Sequence, residues 1–426
     1  MSNGSQPADE RPAGSRRRRA LALVLPLILF AASCASDAPQ STLDPKGPIS
    51  QSIDDLWNGV FIVAVVVFVL VEFGTLALVM RFRRRNNDND DDLPTQTHGN
   101  TKLEIAWTIV PAVMLAVVGF FTLRTLFDIN QRDDEDLTVQ VTGQQWWWEY
   151  SYDTDGDGEF TDEDVLTAHD LVIPAGVDVN LDIGSNDVIH SFWIPALNGK
   201  KDAVPGRVHN LQFHADEPGT YVGQCTEYCG LSHAYMRQRV IAMTNDDFED
   251  WLANQEEDAE VPDAASADAS GTDDEATADE GEGAAVDAPL SDAAAGAELF
   301  TTQCSGCHLA RGINDEEFEE AGSGTELLVS QNAPDLTHFA TRGVFAGAIF
   351  DLWVDQDGDD IVEADEIGVE LNRSALEAWL RNPPAEKPMH APYIPEPGDE
   401  RVRGMPNFNL QEAQIDQLVA FLATLD

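Results

Sequence analysis

The sequence predicts a multi-domain membrane protein: a two-helix transmembrane hairpin, an all-β domain outside the bilayer, and an all-α domain at the C-terminal end. Three observations predict it. Two long apolar runs, about 57–80 and 105–127, flank a block of arginines. Between Leu137 and Trp251, short runs of β-forming residues alternate with Gly, Pro, Asn and Asp. Beyond an acidic low-complexity stretch, helical periodicity returns from about residue 293. A chain of 426 residues has room for two or three domains of about 100–200 residues each.

Residues 1–33 read as a lipoprotein-type signal peptide. A basic block, Arg16 to Arg19, precedes the apolar run 20–32. That run is too short to span a bilayer and suits a signal-peptide core. It ends in "FAASC", so Cys34 is the expected site of lipidation. Residues 34–130 form the hairpin. At about 1.5 Å rise per residue, each apolar run covers a ~30 Å hydrocarbon core. The loop "RFRRRNN" between them is placed in the cytoplasm by its arginines. Everything after residue 128 then lies outside the cell. Glu72 falls within the first span, where a carboxylate is a functional candidate.

Residues 131–253 carry the β pattern of a sandwich or barrel. The stretch "CTEYCGLSHAYM", 225–236, gathers Cys225, Glu227, Cys229, His233 and Met236. Three chemistries fit these residue types. Cys225 and Cys229 could close a small disulfide loop. With His190 they and His233 could bind zinc tetrahedrally. Met236 favours the third, because a thioether is soft and suits copper. Two thiolates with two histidines and one methionine point to two bridged copper ions rather than one.

The spacing Cys225-x-Glu227-x-Cys229-x-x-x-His233-x-x-Met236, preceded by "DVIHSFWIP", closely resembles the binuclear copper A motif of cytochrome c oxidase subunit II. The segments "KKDAVPGR", "GQQWWWEY" and "LEIAWTIVPA" resemble that family too, in the right order over about residues 50–250. The resemblance implies a cupredoxin-like Greek-key barrel. It implies that Cys225 and Cys229 bridge the coppers and that His190 and His233 each supply an imidazole nitrogen. Met236 would bind one copper, and the Glu227 carbonyl the other. The Glu227 carboxylate would face a magnesium ion at the boundary with subunit I. Trp146 matches the residue through which electrons enter. Glu104 matches a carboxylate near the mouth of a proton channel in the partner subunit.

Residues 254–292 are Ala, Asp, Glu, Gly and Ser with scarcely any large apolar side chain, the composition of an extended tether. In the domain that follows, 293–426, Cys304-Ser-Gly-Cys307-His308 is a C-x-x-C-H, the covalent attachment sequence for c-type haem. "APDLTHF" and "GMPNF" follow it, and the whole resembles a class I cytochrome c. Met405 is the expected sixth ligand, with Met389 its rival. Methionine opposite histidine raises the haem potential.

Two acidic loops resemble EF-hand calcium loops. The first offers Asp153, Asp155, Asp157, Glu159 and Asp164. The second offers Asp355, Asp357, Asp359 and Glu366, with Asp360 where the turn glycine belongs. The bland alternative is a solvated hairpin. The other histidines, His98, His169, His209, His214, His338 and His390, read as structural or surface residues.

Formal net charge is −51, from 76 acidic and 25 basic residues, which excludes a nucleic-acid binder. The resemblance implies subunit II of a caa-type haem–copper oxidase in a bacterial plasma membrane, with its copper and haem domains outside. Its partners would be subunits I and III and an upstream donor, a cytochrome c or a quinol–cytochrome c reductase. Oxygen reduction to water and proton pumping would belong to the complex. A quinol-oxidase subunit II would lack the copper ligands. Nitrous oxide reductase would need a large catalytic copper domain. A zinc- or disulfide-stabilised membrane scaffold is the rival from another class.

Overall fold

The computed structural model describes residues 38–83, 98–130, 137–154, 156, 158, 160, 164–260, 292–314, 333–389 and 404–426. Residues 1–37, with Cys34, as well as Arg84, Arg85, Asp155, Asp157, Glu159 and His390 lie outside the described residues.

Two helices are long and apolar enough to cross a membrane, α1 (Pro48–Phe82) and α2 (Thr101–Asp128). Their apolar side chains are exposed, as a lipid-facing surface requires. Helix α1 starts ahead of the apolar run because Pro48 supplies a helix-ready φ at its first position. The residue pair before it is held by the β domain: Lys46 donates its N–H to the Ala196 carbonyl at 2.8 Å and accepts from Asp216 N–H at 2.9 Å. Asn100 caps α2 by accepting the Leu103 N–H at 3.3 Å. Glu72 lines an apolar groove between the helices with Met114, Leu115 and Val118.

The β domain contains β1 (Leu137–Gln144), β2 (Trp147–Tyr152), β3 (Val165–Ala168), β4 (Asp170–Pro174), β5 (Val179–Ser185), β6 (His190–Phe192), β7 (Lys201–Ala203), β8 (His209–Phe213), β9 (Gly219–Gln224) and β10 (Arg237–Met243). The strands form a five-stranded sheet, β3-β2-β1-β5-β8, and a three-stranded sheet, β4-β10-β9, with β6 and β7 paired separately as a two-stranded ribbon. Strand β1 pairs antiparallel with β2 and parallel with β5. The domain is therefore a two-sheet sandwich of cupredoxin-like form, more open than the expected barrel. Val141, Tyr150, Leu181, Phe192 and Val240 fill the space between the sheets. Helix α3 (Asn245–Gln255), capped by the Thr244 side chain, closes the domain.

The C-terminal domain contains α4 (Asp292–Gln303), β11 (Val344–Phe345), β12 (Phe350–Asp351), α5 (Arg373–Arg381), α6 (Pro383–Glu386) and α7 (Glu412–Leu422). Ile415, Leu418, Val419 and Leu422 form a buried stripe on α7 at helical spacing, and Phe421 meets Phe300 of α4 at 5.4 Å between ring centroids. The domain is not all-α as expected. Val344, Phe345 and Phe350 are β-formers on either side of a turn, and they pair as a short hairpin.

The tether also begins later than its composition suggests. Ala259 is buried in the C-terminal core, and Arg311 Nη2 donates to the Gln255 carbonyl at 2.5 Å. Backbone contacts, which composition does not report, hold residues 254–260 in place.

Candidate metal centre

The twelve residues 225–236 join the antiparallel strands β9 and β10. Cys225 donates its N–H to the Met236 carbonyl at 2.9 Å, so the loop is pinched at its base. His190 opens β6, and the neighbouring Ser191 carbonyl accepts the Thr226 N–H at 3.1 Å. That bond brings a residue 35 positions upstream against the loop.

The predicted donors converge. Cys225 Sγ lies 3.9 Å from Cys229 Sγ and 4.0 Å from His190 Nδ1. Cys229 Sγ lies 3.5 Å from His233 Nδ1 and 3.8 Å from Met236 Sδ. The Glu227 carbonyl is 3.3 Å from Cys225 Sγ, while the residue as a whole is exposed. Both cysteines are free thiols, their sulfurs well beyond the ~2.05 Å of a disulfide bond. His190, Cys225 and Cys229 place ligand atoms within 4.8 Å of one another, and His233 does not join that set. One histidine therefore sits beside each sulfur. A single tetrahedral zinc, with bonds of about 2.0–2.3 Å, could not gather all four. Two ions sharing the sulfurs could.

Electrostatics say the same. The hydrogen bond from Cys229 and the His190 ring hold the Cys225 thiol down to about 4. The resulting thiolate, together with burial, pushes Cys229 well above its ordinary range. Two buried thiols this close cannot both ionise without a cation between them. A metal centre removes that conflict, since a coordinating thiol is deprotonated outright. The soft, crowded donor set thus fits copper.

Sequence reading missed the residues that aim these ligands. Asp187 Oδ1 takes His190 Nε2 at 2.9 Å, leaving Nδ1 to face Cys225. That carboxylate also accepts the Gln145 N–H at 2.8 Å. Asp187 raises the His190 pKa against the opposing effect of burial. Its one sequence signal is its place three residues before His190. Gly143 has no Cβ for a reason: one there would lie 2.9 Å from the His190 ring.

The three tryptophans have separate surroundings. Trp148 is core, edge-on to His190 and Phe192 at 5.7 and 5.1 Å. Trp147 packs against His169. Trp146 is 2% exposed and donates its ring N–H to the Cys229 carbonyl at 3.1 Å. Gln145 Nε2 reaches the same carbonyl at 2.6 Å.

In the C-terminal domain, Cys304 and Cys307 are free and follow the end of α4. His308 Nδ1 contacts the Pro334 carbonyl at 2.8 Å, which leaves Nε2 to bind a metal. Arg342 is buried nearby, and its Nε and Nη1 have no partner among the described residues. Such orphaned donors fit an acidic group such as a porphyrin carboxylate. Met405 and Cys304 both pack against the C-terminal core, whereas Met389 packs against the β-domain core and beside Gly404.

The acidic loops differ from both sites. Asp355, Asp357 and Asp359 place carboxylate oxygens within 4.8 Å of one another, at a largely exposed position. Glu366 spends its two oxygens on the N–H groups of Gln356 and Glu363, at 2.6 and 2.9 Å. Asp360 adopts φ 67°, doing the glycine's work. In the other loop Asp153 accepts from Gly156 and Gly158, and Asp164 is buried. Glu104 is exposed on the first turn of α2.

Comparison with known proteins finds one family. Residues 137–243 match the family model for the cytochrome c oxidase subunit II periplasmic domain, and residues 38–125 that for its transmembrane domain. Cytochrome c oxidase subunit 2 of Alkalihalophilus pseudofirmus is 29% identical over 407 residues, 94% of each chain. That of Cereibacter sphaeroides is 34% identical over 235 residues, 48% of this chain and 76% of the relative. The crystal structure of the periplasmic domain of subunit II of cytochrome oxidase of Bradyrhizobium japonicum is 33% identical, covering 30% of this chain and 96% of that one, with a TM-score of 0.26.

Proposed function

This chain belongs to the cytochrome c oxidase subunit II family, and on that premise we propose that its copper domain is fed by a haem in its own C-terminal domain. Cytochrome c oxidase is the enzyme it serves, and electron transfer runs through its copper A domain. It is a membrane protein with an extracytoplasmic domain. Cys225 and Cys229 bridge two coppers, with His190, His233, Met236 and the Glu227 carbonyl completing the shell. Cys304 and Cys307 attach a c-type haem held by His308 and Met405 in a class I cytochrome fold.

The observation that carries this is one histidine beside each of two free, buried thiols 3.9 Å apart. The bridged coppers and the haem iron each supply one-electron chemistry when bound. The chain's own residues do the rest. Asp187 and the loop backbone fix the donors before any metal arrives, so little moves when charge changes. Trp148 and the surrounding core keep water out. Trp146 meets the thiolate loop through its ring N–H and the next domain through its carbonyl, which accepts from Lys387. Exposed Val188, Ile189, Tyr228 and Leu231 neighbour the ligands in the chain. They suit a contact with subunit I, to whose haem the electron passes.

Other roles follow from the same reading. The exposed Glu227 carboxylate is placed for magnesium at that boundary. Glu104 serves a proton path, and subunit III completes the assembly. Cys34 carries a lipid after removal of residues 1–33. The loops at Asp153 and Asp355 take calcium as structural pins. The upstream donor delivers to the C-terminal domain, and the complex reduces oxygen to water while pumping protons.

Metal analysis and spectroscopy test the core of this. Two coppers per chain, with a paramagnetic signal shared over both nuclei, and one covalently held haem are expected. Zinc, a single copper or an acid-extractable haem would overturn it.

A further inference from the structure

We infer that the C-terminal domain is latched in one fixed seat over Trp146, with Lys387 and the turn at 346–348 as positioning elements, so that this face of the copper domain serves the chain's own domain and is shut to a separate donor protein. The consequence for electron transfer rests on the copper and haem reading above. The seat itself stands on contacts alone.

The first anchor is an ion pair. Asp170 begins β4 and Arg239 lies in β10, and both are buried. Arg239 Nε and Nη2 donate to the two carboxylate oxygens at 2.8 and 3.2 Å. The pair belongs entirely to the β domain, yet the other domain fills its remaining valences. Asp170 Oδ2 also accepts the N–H groups of Gly343 and Val344 at 2.7 and 3.3 Å. Arg239 Nη1 donates to the Val362 carbonyl at 3.0 Å. A buried ion pair is tolerable only when such sites are met, and here docking meets them.

The second anchor touches the metal loop. Lys387 is buried, and its Nζ donates to the Trp146 carbonyl at 2.7 Å and the Ala346 carbonyl at 2.8 Å. One ammonium ties the two domains together. Beside it, Arg237 donates its N–H to the Gly347 carbonyl at 2.9 Å, and the Ser232 hydroxyl donates to the Pro388 carbonyl. Both donors flank predicted ligands: Ser232 precedes His233 and Arg237 follows Met236.

The turn between β11 and β12 is shaped for this contact. Ala346, Gly347 and Ala348 have φ of 56°, 80° and 56°. Left-handed backbone is strained for an alanine, so surroundings must hold it. Gly347 has no room for a side chain. A Cβ there would lie 2.3 Å from Lys387 Nζ and 2.6 Å from the Trp146 carbonyl oxygen.

The contacts form one hydrogen-bonded series. Ala346 C=O meets Lys387 Nζ, which meets Trp146 C=O, and the Trp146 ring N–H meets the Cys229 carbonyl. The turn is thereby registered against the thiol loop. Lys387 acts through Trp146 and is a positioning residue. With Trp146 2% exposed, no outside protein can touch it while the seat is closed.

Two variants in the assembled, metal-loaded oxidase test this. Lys387→Met keeps a long apolar side chain and removes the donors. Gly347→Val forces the turn off Trp146. Hydrogen exchange in segments 143–150 and 343–349 should rise together in both. The copper and haem spectra should stay unchanged. Transfer of one electron from ferrous haem to the oxidised copper pair, with no bond made or broken, should slow about tenfold or more, as misplacement of about 1 Å can cost more than that. In the parent, a reduced soluble c-type cytochrome should reduce the C-terminal haem before the copper pair. Unchanged exchange in both variants overturns the seat. Raised exchange with an unchanged transfer rate overturns the positioning role. Copper reduced before haem in the parent overturns the closure. Absence of copper or haem from the parent would instead overturn the reading on which the consequence rests.

Discussion

Two clusters of ligand-type side chains stand out among the described residues, and they are opposites. His190, Cys225 and Cys229 are buried, while Asp355, Asp357 and Asp359 lie mostly exposed. The buried thiols are driven apart in acidity by each other's charge. The exposed Asp355 carboxylate is held low by the N–H groups of Gly358 and Asp360, at 2.7 and 2.8 Å. The second cluster satisfies itself from its own backbone and from water. The first cannot, because desolvated donors without a cation are costly. Burial, rather than the number of ligand-type residues, is what makes a cluster depend on a metal.

The strongest way to break that contrast is Cys229→Ser. It removes the sulfur that faces His233 and Met236 and that we propose bridges the coppers, so the paired-copper paramagnetic signal should vanish. Retention of a two-nucleus signal would refute the bridged arrangement. The same rule applies where no metal is involved. Asp170→Asn breaks a buried pair and should cost about 3–5 kcal/mol, read as a drop in melting temperature of the full chain. A loss below about 1 kcal/mol would mean that the pair behaves like a surface one.

Asp187→Ala probes the support of a buried donor. It frees His190 Nε2 and should weaken copper binding about 10–100-fold, measured by competition with a chelator. Unchanged affinity would show that loop packing alone aims the ring.

A fourth test uses pH. Burial, and the nearby Arg342, Lys387 and His308, hold His169 well below its ordinary 6.5. Below about pH 6.5 the folded chain therefore binds fewer protons than the unfolded chain, and stability falls as pH drops. The contribution approaches about 1.4 kcal/mol per pH unit. His169→Asn, a residue that tolerates the φ of 75° found there, should flatten the melting curve between pH 6.5 and 5 relative to the parent. Parallel curves would contradict it.

The smallest effect is expected at the exposed cluster. Asp355→Asn should leave the melting temperature unchanged in calcium-free buffer and abolish any rise on adding calcium. A chain whose melting temperature ignores calcium altogether would remove the calcium assignment.

The candidate copper site was largely legible because most of its donors share one loop. Cys225, Glu227, Cys229, His233 and Met236 occur within twelve residues, and His190 sits in an apolar run that reads as a strand. Asp187 and Gln145 were harder to see, since nothing local distinguishes them from surface polar residues. Lys387 was invisible: its partner Trp146 is 241 positions away. The hairpin at 344–351 was hidden for a related reason. Two-residue strands carry no detectable alternation, and the left-handed alanines between them are held by contacts from another domain. The tether's first residues failed for the converse reason, because low-complexity composition describes side chains and their packing is mostly backbone.

The sequence alone determined the chemistry on offer: two spans by length and apolarity, a soft donor loop by residue type and spacing, and a C-x-x-C-H by motif. Each is a local property, set by side chains a few residues apart or by a run of similar ones. Tertiary structure decided which donors face which sulfur, how closely the two thiols are buried together, and what covers Trp146. Those outcomes depend on desolvation and on hydrogen bonds between residues far apart in the chain. Such terms exist only once the sheets have packed and the second domain has closed over the first.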